Sequence, residues 1–314
     1  MRVFVAGATG VLGSRLVPEL ARRGHDVTAM TRSPGKAERL RSERVEVAVA
    51  DALDPGAVAA AVGPAEPEVV VHQLTALSEL GGATRNIDRA FAMTNRLRTE
   101  GTDNLLAAAR SAGADRFLAQ SFAGWPYARE GGPVKDEDDP LDFDPPAHLR
   151  QTLGAIRHLE AATLGADGIE GTVLRYGGFY GPGTTIARDG AHVEAVRRRR
   201  FPVVGDGGGV WSLVHVDDAA AATMAAIERR ADGVYNVVDD EPATVADWLP
   251  AAAQAVEAPA PRRVPRWLGR LFAGEWATVM MTETRGASNA KAKRELAWTP
   301  RHASWREGFA TGLG

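Results

Sequence analysis

Residues 2–24 read RVFVAGATGVLGSRLVPELARRG, and this stretch decides the fold. The apolar and partly β-branched run Arg2–Ala6 is typical of a buried strand. Behind it, apolar residues at helical spacing predict a helix over 11–23 that ends at Gly24, with an inward face formed by Leu12, Leu16, Val17 and Leu20. A strand followed so closely by an amphipathic helix is the opening unit of an α/β fold.

The strand and the helix are joined by the turn Gly7-Ala-Thr-Gly10-Val-Leu-Gly13. A tight turn needs a residue that tolerates positive φ, and close approach of backbone to a pyrophosphate needs a residue without Cβ. A third small residue lets the helix pack closely on the strand. The helix N–H groups and the positive end of its dipole then face the phosphates. The turn therefore predicts a dinucleotide site formed by Gly7, Thr9, Gly10, Val11, Leu12 and Gly13.

The end of the second predicted strand, Val27–Thr31, indicates which dinucleotide binds. NAD sites usually place an Asp or Glu about 20 residues beyond the glycines, where it binds the ribose hydroxyls. This chain has Arg32-Ser33 there and no carboxylate. The planar guanidinium of Arg32 suits a 2′-phosphate, with Ser33 or Lys36 assisting. We therefore predict NADP(H), and NAD(H) is the alternative if Arg32 is only a surface charge.

Strand and helix patterns alternate along the first half of the chain. Further strands are predicted at 45–50, 69–72, 116–120 and 171–175, and helices at 94–112 and 153–164. This alternation predicts an α/β protein with a Rossmann-type doubly wound parallel sheet. We expect a dinucleotide-binding domain over 1–176, which recruits a core strand from 210–240, and a smaller, mainly substrate-binding region over 177–314. Residues 124–146 are rich in Gly, Pro and acidic residues and predict a loop or lid.

Composition narrows the function classes. The 314 residues carry a net charge of −3, which argues against charge-driven binding of nucleic acid or membranes. The chain has no cysteine, which excludes disulfides, thiolate metal sites and cysteine nucleophiles. No His/Asp/Glu cluster has metal-ligand spacing, and no apolar run is long enough for a signal peptide or a transmembrane helix. The expectation is a cytoplasmic protein without a metal that acts on a small molecule.

Several further motifs, in the same order, resemble the extended short-chain dehydrogenase/reductase family, the NAD(P)-dependent epimerase/dehydratase group. They are Ala50-Asp51-Ala52, Val70–Thr75, Thr94-Asn95 with Glu100–Leu106, Leu174–Gly183, Val204–Gly207, Trp211–Asp218, Gly233–Val237 and Lys293–Pro300. The resemblance covers nearly the whole chain. It implies cofactor contacts at Asp51, Ala52, Leu74, Thr75, Ser121, Tyr176, Gly178 and Phe179. It also implies a homodimer through helices 94–112 and 152–165.

The chain departs from this family at the proton-transfer residues. The family uses a Tyr as general acid/base and a Lys four residues later, because a nearby ammonium favours the phenolate. Here Thr152 stands in the Tyr position and Ile156 in the Lys position. No tyrosine of the chain is followed by Lys four residues on. After the fifth strand, Phe122 stands where the family usually has a residue with a hydroxyl group, and Ser121 lies one position earlier.

Three weak catalytic candidates remain, namely Ser121, Tyr127 and Tyr176. Ser121 either holds a substrate oxygen or only caps the strand end. Tyr127, in the predicted lid, supplies either a proton or packing and a hydrogen bond. Tyr176 lies beside the expected nicotinamide position. An apolar or aromatic pocket is a further expectation, and each of its candidate residues has core packing as the alternative role: Trp125, Phe179 and Trp211.

Hydride transfer needs mainly a positioned cofactor and an acceptor atom, so loss of the Tyr/Lys pair does not exclude redox chemistry. The leading hypothesis is an NADP(H)-dependent oxidoreductase, an atypical extended member of the family, acting on a small, partly apolar organic molecule. The second is a non-redox epimerase, lyase or isomerase on the same fold. The third is a non-enzymatic NADP(H)-binding sensor.

Overall fold

A computed structural model describes residues 1–77 and 87–314 of the chain. Its strands are β1 Arg2–Ala6, β2 Asp26–Thr31, β3 Val45–Val49, β4 Val69–His72, β5 Arg116–Phe122, β6 Val134–Lys135, β7 Glu170–Tyr176, β8 Gly178–Tyr180, β9 Val203–Val204, β10 Val210–Trp211, β11 Leu213–His215, β12 Gly233–Val237, β13 Ala243–Thr244, β14 Arg263–Val264 and β15 Gly286–Ala287. The larger strands coincide with the apolar runs of the sequence, because a strand buried on both faces needs apolar side chains on both.

The helices flank these strands in the sequence. They are α1 Gly13–Arg22, α2 Pro34–Ala37, α3 Pro55–Val62, α4 Ile87–Ala90, α5 Ala92–Arg98, α6 Glu100–Ser111, α7 Arg150–Leu164, α8 Ala191–Arg197, α9 Val216–Glu228, α10 Val245–Ala255, α11 Arg266–Thr282, α12 Ala290–Leu296 and α13 Trp305–Thr311. No helix in the described part of the chain is both long enough and apolar enough to cross a bilayer.

Within these residues the main sheet has seven strands in the order β12-β7-β5-β4-β1-β2-β3, and every neighbouring pair is parallel. The chain starts in the middle, adds β2 and β3 on one side, and then adds the other strands on the opposite side. The predicted α/β fold with a doubly wound parallel sheet is confirmed. Because the strands are parallel, all their carboxyl ends lie along one edge, and ligands bind in such folds where the order reverses, here between β1 and β4.

Alternating side chains of the strands feed two separate cores. On β1, Val3 and Val5 join a cluster with α1, α9 and α12, whereas Phe4 and Ala6 join a cluster with α3, α5, α6 and α7. This alternation follows from the two-residue period of a strand. The sheet is therefore covered by helices on both faces, which leaves its carboxyl edge as the accessible place for a ligand.

The predicted helix over 94–112 is wrong in one respect, because two helices, α5 and α6, replace it. Thr99 separates them with φ −97° and ψ −84°. Its hydroxyl donates to the carbonyl oxygen of Asn95 at 3.0 Å. Thr102 and Thr163 make the same bond inside unbroken helices, so this bond alone does not explain the break. Asn95 and Arg98 of α5 are buried.

The C-terminal third has its own core around Trp248, Trp305 and Phe309. Short two-stranded sheets complete this region: β8 with β11, β9 with β14, β10 with β13, and β15 with β6. The strand β12 joins the main sheet beside β7, and α9 contributes to the core that α1 covers. The domain boundary at 176 stays a prediction, since residues on both sides of it build the main sheet and its layers.

Two glycines give a matched test of this packing. A Cβ on Gly13 would lie 2.3 Å from the carbonyl oxygen of Gly7, whereas a Cβ on Gly154, on the exposed face of α7, would meet nothing within 4 Å. We predict that Gly13→Ala lowers the free energy of unfolding by about 1–3 kcal/mol, the usual cost of overpacking. Gly154→Ala should raise it by about 0.5–1 kcal/mol through helix propensity. Urea denaturation measures both, and a Gly13→Ala variant as stable as the wild type would contradict the tight turn.

Candidate active site

The residues predicted to hold the cofactor follow the carboxyl ends of five parallel strands. The structure brings them to one edge of the sheet: Gly7–Gly13 after β1, Arg32 and Ser33 after β2, Asp51 and Ala52 after β3, Leu74 and Thr75 after β4, and Gly178 and Phe179 after β7. Only a parallel sheet places segments this far apart in sequence side by side in this way.

The glycine-rich turn has the shape of a phosphate cradle. Gly7 has φ +92°, and a Cβ there would lie 2.7 Å from the carbonyl oxygen of Gln73, so the turn lies directly against the end of β4. A Cβ on the exposed Gly10 would meet only the Gly7 carbonyl oxygen, at 3.2 Å, so its outer side is open. Among the described residues, the backbone N–H groups of Val11, Leu12 and Gly13 have no acceptor. Free N–H groups at the start of α1, with no side chain above them, fit a pyrophosphate.

The end of β2 presents Arg32 as an exposed side chain that also takes part in further interactions. Thr31 fixes the local backbone, since its hydroxyl lies 3.0 Å from that of Thr9 and accepts from the Ser33 N–H at 3.2 Å. After β3, the carboxylate of the exposed Asp51 accepts from the N–H of Leu53. The preference of Arg32 for a 2′-phosphate stays a prediction.

Thr152 and Ile156 stand in the positions where the family has its Tyr and Lys. Thr152 is held by hydrogen bonds, and Ile156 is buried. Both the backbone N–H and the hydroxyl of Thr152 donate to Asp88 Oδ1, at 2.8 and 2.7 Å. The side-chain amide of Asn95 donates to the same hydroxyl at 3.1 Å. The other position, Ile156, is apolar and 1% exposed. Thr152 therefore stabilises the start of α7, and neither residue is placed to transfer a proton.

A buried charged network lies behind the carboxyl end of β5. Ser121 Oγ donates to Glu160 Oε1 at 2.6 Å. Arg175, on β7, binds both oxygens of the same carboxylate, with Nε 2.9 Å from Oε1 and Nη2 2.6 Å from Oε2. Its third donor, Nη1, reaches the Tyr127 hydroxyl at 3.0 Å, and that hydroxyl donates to Asn236 Oδ1 at 2.7 Å. Five segments of the chain, β5, the 124–146 loop, α7, β7 and β12, thus meet around one ion pair.

Burial raises the pKa of Tyr127 to about 12, although Arg175 opposes the shift. Burial also raises the pKa of Tyr176, whose hydroxyl lies 2.7 Å from the hydroxyl of Thr223 on α9. For Arg175, burial alone would lower the pKa, but the bonds from Glu160 outweigh it and the pKa lies above its usual value. Both phenols therefore keep their protons at neutral pH and use them within the protein. The catalytic roles of Ser121, Tyr127 and Tyr176 stay predictions.

Three charged residues of this region were not predicted as site residues from the sequence, namely Glu160, Arg175 and Arg98. Arg98 is 3% exposed, and its Nη1 has no acceptor in the described ranges. Burial lowers the pKa of Arg98 to about 10. The negative charge of Glu160 opposes this shift, but its effect is the smaller of the two. A signal was present, because Arg175 lies inside a strand predicted to be buried, and a charge is rarely buried without a partner.

A small aromatic cavity of about 10 Å³, room for about one water molecule, adjoins this region between the 124–146 loop, α7 and α11. Its lining comprises Trp125, Arg129, Asp142, Pro145, Leu149, Leu153, Trp276, Val279 and Thr284. The Trp125 and Trp276 rings meet edge to face, 4.8 Å apart. The other two aromatic candidates lie elsewhere, since Phe179 packs on Tyr176 and Trp211 packs on Trp248. Of the three, Trp125 alone lines this cavity.

The structure also gathers a cluster that sequence spacing did not indicate, His215, Asp218 and His302, with ligand atoms within 4.8 Å of one another. Each member already has protein partners. Asp218 accepts from the backbone N–H groups of Arg301 and His302, and His215 bonds the N–H of Asp217 and faces the carbonyl oxygen of Gly312. The cluster ties the C-terminal segment to the start of α9.

Comparison with known proteins agrees with this geometry. The sequence profile of the NAD dependent epimerase/dehydratase family matches residues 3–238. A 3-diazoavenalumate denitrifying reductase from a Streptomyces species is 48% identical, and the alignment covers 98% of this chain and 99% of that protein. A 2-alkyl-3-oxoalkanoate reductase from Stenotrophomonas maltophilia is 29% identical, over 82% of this chain and 77% of that protein.

Solved structures show the same fold. The UDP-glucose 4-epimerase of Thermus thermophilus, in complex with NAD, aligns with a TM-score of 0.74 at 24% identity, over 100% of this chain and 98% of that one. A human epimerase family protein with NADPH aligns with a TM-score of 0.76 at 21% identity, over 100% and 99% of the two chains. The neighbours include complexes with each nicotinamide cofactor, so the fold does not decide between them.

The family profile and the reductase relative together support NAD(P)-dependent chemistry of the oxidoreductase type, and they confirm the resemblance drawn from the motifs. The profile covers most of the sequence, and the reductase is similar along nearly all of it. The chain therefore belongs to the NAD dependent epimerase/dehydratase family.

Proposed function

We propose that the chain is an NADP(H)-dependent reductase that removes the diazo group from an aromatic carboxylate and leaves hydrogen in its place. The name of the 48% identical relative describes a reductase that removes nitrogen from a diazo-bearing carboxylate. That similarity extends over nearly the full length of both chains. The observation that carries the proposal is the replacement of the proton-transfer pair by Thr152 and Ile156.

The chemistry of the two substrate classes explains why this replacement matters. Reduction of a carbonyl group needs a hydride and a proton on oxygen, and the Tyr/Lys pair of the family supplies the proton. Reduction of a diazonium group needs a hydride but no proton, because the arenediazonium and NADPH together give the arene, N2 and NADP+. The carbon–nitrogen bond breaks, N2 leaves, and no added proton is needed at the reacting atoms. A site without an acid is therefore suited to the second reaction.

Residues at the carboxyl edge would hold the cofactor. The N–H groups of Val11, Leu12 and Gly13 would bind the pyrophosphate, Arg32 the 2′-phosphate, and Asp51 the adenine side. When bound, the reduced nicotinamide supplies a hydride, which carries the two electrons of the reduction. The protein contributes position and exclusion of water rather than a proton.

The aromatic cluster around Trp125 and Trp276 is the proposed place of the substrate's conjugated body. The two rings provide flat apolar surfaces, and Leu149, Leu153 and Val279 complete an aliphatic lining. Ligand sites of this kind are mostly apolar, with a few polar groups that fix orientation. The cavity has room for about one water molecule, 10 Å³, so the proposal requires these side chains to move apart when the substrate binds.

A direct test supplies 3-diazoavenalumate, labelled with 15N in the diazo group, together with NADPH. We predict release of one labelled N2 per NADPH oxidised, followed by mass spectrometry of the gas and absorbance at the NADPH band. A panel of aldehydes and ketones is the control and should be reduced poorly. Oxidation of NADPH by the carbonyl panel without N2 release from the diazo compound would contradict the proposal. Turnover without net NADPH oxidation would support the non-redox hypothesis, and binding without turnover would support the sensor.

The choice of cofactor can be tested at Arg32. Arg32→Ala should weaken NADPH binding by about 1.5–3 kcal/mol, the scale of a hydrogen bond to a charged group, and should leave NADH binding unchanged. Arg22→Ala is the matched control, because Arg22 is an exposed arginine at the far end of α1, where it pairs with Glu19. Calorimetric titration with both cofactors measures the effect. Equal losses for NADPH and NADH would remove Arg32 as the selecting residue.

The phosphate cradle can be tested at Gly10. Gly10→Val should fold, since only the Gly7 carbonyl oxygen lies near the added Cβ, but it should lose binding of NADPH and NADH alike. Gly63→Val is the control, because nothing lies within 4 Å of a Cβ there and Gly63 precedes β4 at the opposite edge of the sheet. Circular dichroism verifies the fold and calorimetry measures binding. Retained affinity in Gly10→Val would contradict a cradle at this turn.

A further inference from the structure

The hydrogen-bond direction at Ser121 follows from the charges around it. Arg175 binds both oxygens of Glu160, which is the arrangement of a guanidinium with an ionised carboxylate. An ionised carboxylate only accepts hydrogen bonds. The 2.6 Å contact between Ser121 Oγ and Glu160 Oε1 therefore uses the serine proton, and Ser121 keeps only its lone pairs for any other partner.

Tyr127 is constrained in the same way. Its hydroxyl proton goes to Asn236 Oδ1 at 2.7 Å, and Arg175 donates to its oxygen at 3.0 Å. The two hydroxyl groups that a carbonyl substrate would need as donors are thus both committed to protein acceptors. Ser121 lies at the carboxyl end of β5, on the same edge of the sheet as the residues predicted to hold the cofactor.

We propose that Glu160 is a positioning residue that makes Ser121 a hydrogen-bond acceptor and thereby selects an electron-poor nitrogen over a carbonyl oxygen as the reacting group. This inference rests on the proposed function. A carbonyl oxygen gains negative charge as it is reduced and needs donors around it. The outer nitrogen of an arenediazonium gains no negative charge: the hydride would add to it and give the neutral diazene Ar–N=N–H, whose N–H donates to the lone pair of Ser121. The carbon–nitrogen bond of the diazene then breaks, N2 leaves, and the hydrogen passes to the ring carbon, so the sum is again arene, N2 and NADP+. The contact thus strengthens during the reaction, which is what accelerates it.

A purely structural role is the alternative, because the same ion pair joins the 124–146 loop to β7 and α7. Ser121→Ala separates the two roles, since it removes the acceptor and leaves the bonds between Glu160 and Arg175 in place. Glu160→Gln complements it. The amide of Gln can donate to Ser121 Oγ, which would free the serine proton for a substrate oxygen.

The experiment compares kcat/KM for 3-diazoavenalumate with kcat/KM for an aldehyde analogue that carries a formyl group in place of the diazo group. We expect Ser121→Ala to lower kcat for the diazo compound about two- to tenfold, the scale of one hydrogen bond between neutral groups, with KM nearly unchanged. Glu160→Gln should shift the ratio of the two kcat/KM values toward the aldehyde. Thr163→Val is the control, because Thr163 is a buried hydroxyl of the same helix that bonds only its own backbone.

Folded Ser121→Ala protein with the wild-type kcat and the wild-type substrate ratio overturns the inference, whatever Glu160→Gln does. If Glu160→Gln does not fold, the kinetics of Ser121→Ala decide. Failure of the proposed function is distinguishable, because the wild-type protein itself would then release no N2 from the diazo compound. A loss of stability in Ser121→Ala with unchanged kinetics assigns the network to the fold alone.

Discussion

The parallel pairing of seven strands is the constraint on which the rest of the structure depends. It brings the ends of β1, β2, β3, β4, β5 and β7 to one edge, although these ends span residues 6–176 of the chain. Helices cover both faces of the sheet, so the edge is where a ligand can approach backbone N–H groups. The contact of Gly7 with the end of β4 fixes the cradle at the point where the strand order reverses.

The chain keeps the family's glycine-rich turn and replaces its proton-transfer pair. Thr152, in one of the two positions, bonds Asp88 and Asn95 at the start of α7. An ion pair between Glu160 and Arg175 stands nearby and fixes the hydroxyl groups of Ser121 and Tyr127. A buried ion pair of this kind contributes little net stability but orients its neighbours firmly. In the proposed function, this replacement is what suits the site to a reduction that needs no acid.

Much of the fold could be predicted, because its signals are local in the sequence. The apolar run Arg2–Ala6 and the glycine spacing after it specify a strand, a turn and a helix. The break at Thr99 was not predicted, since the apolar spacing of the sequence continues through this position without interruption. The network around Glu160 could not be predicted from the sequence, for another reason. Its members are distant in sequence and become neighbours only when β5, β7 and α7 pack together.

Reduction at this site is proposed to need no proton from the protein. The solvent deuterium isotope effect on the rate constant of a single turnover, measured with 3-diazoavenalumate and NADPH, tests this proposal. A value near unity is expected, because no protein proton moves as the hydrogen is delivered. A value well above unity would place a proton donor in the rate-limiting step and contradict the proposal.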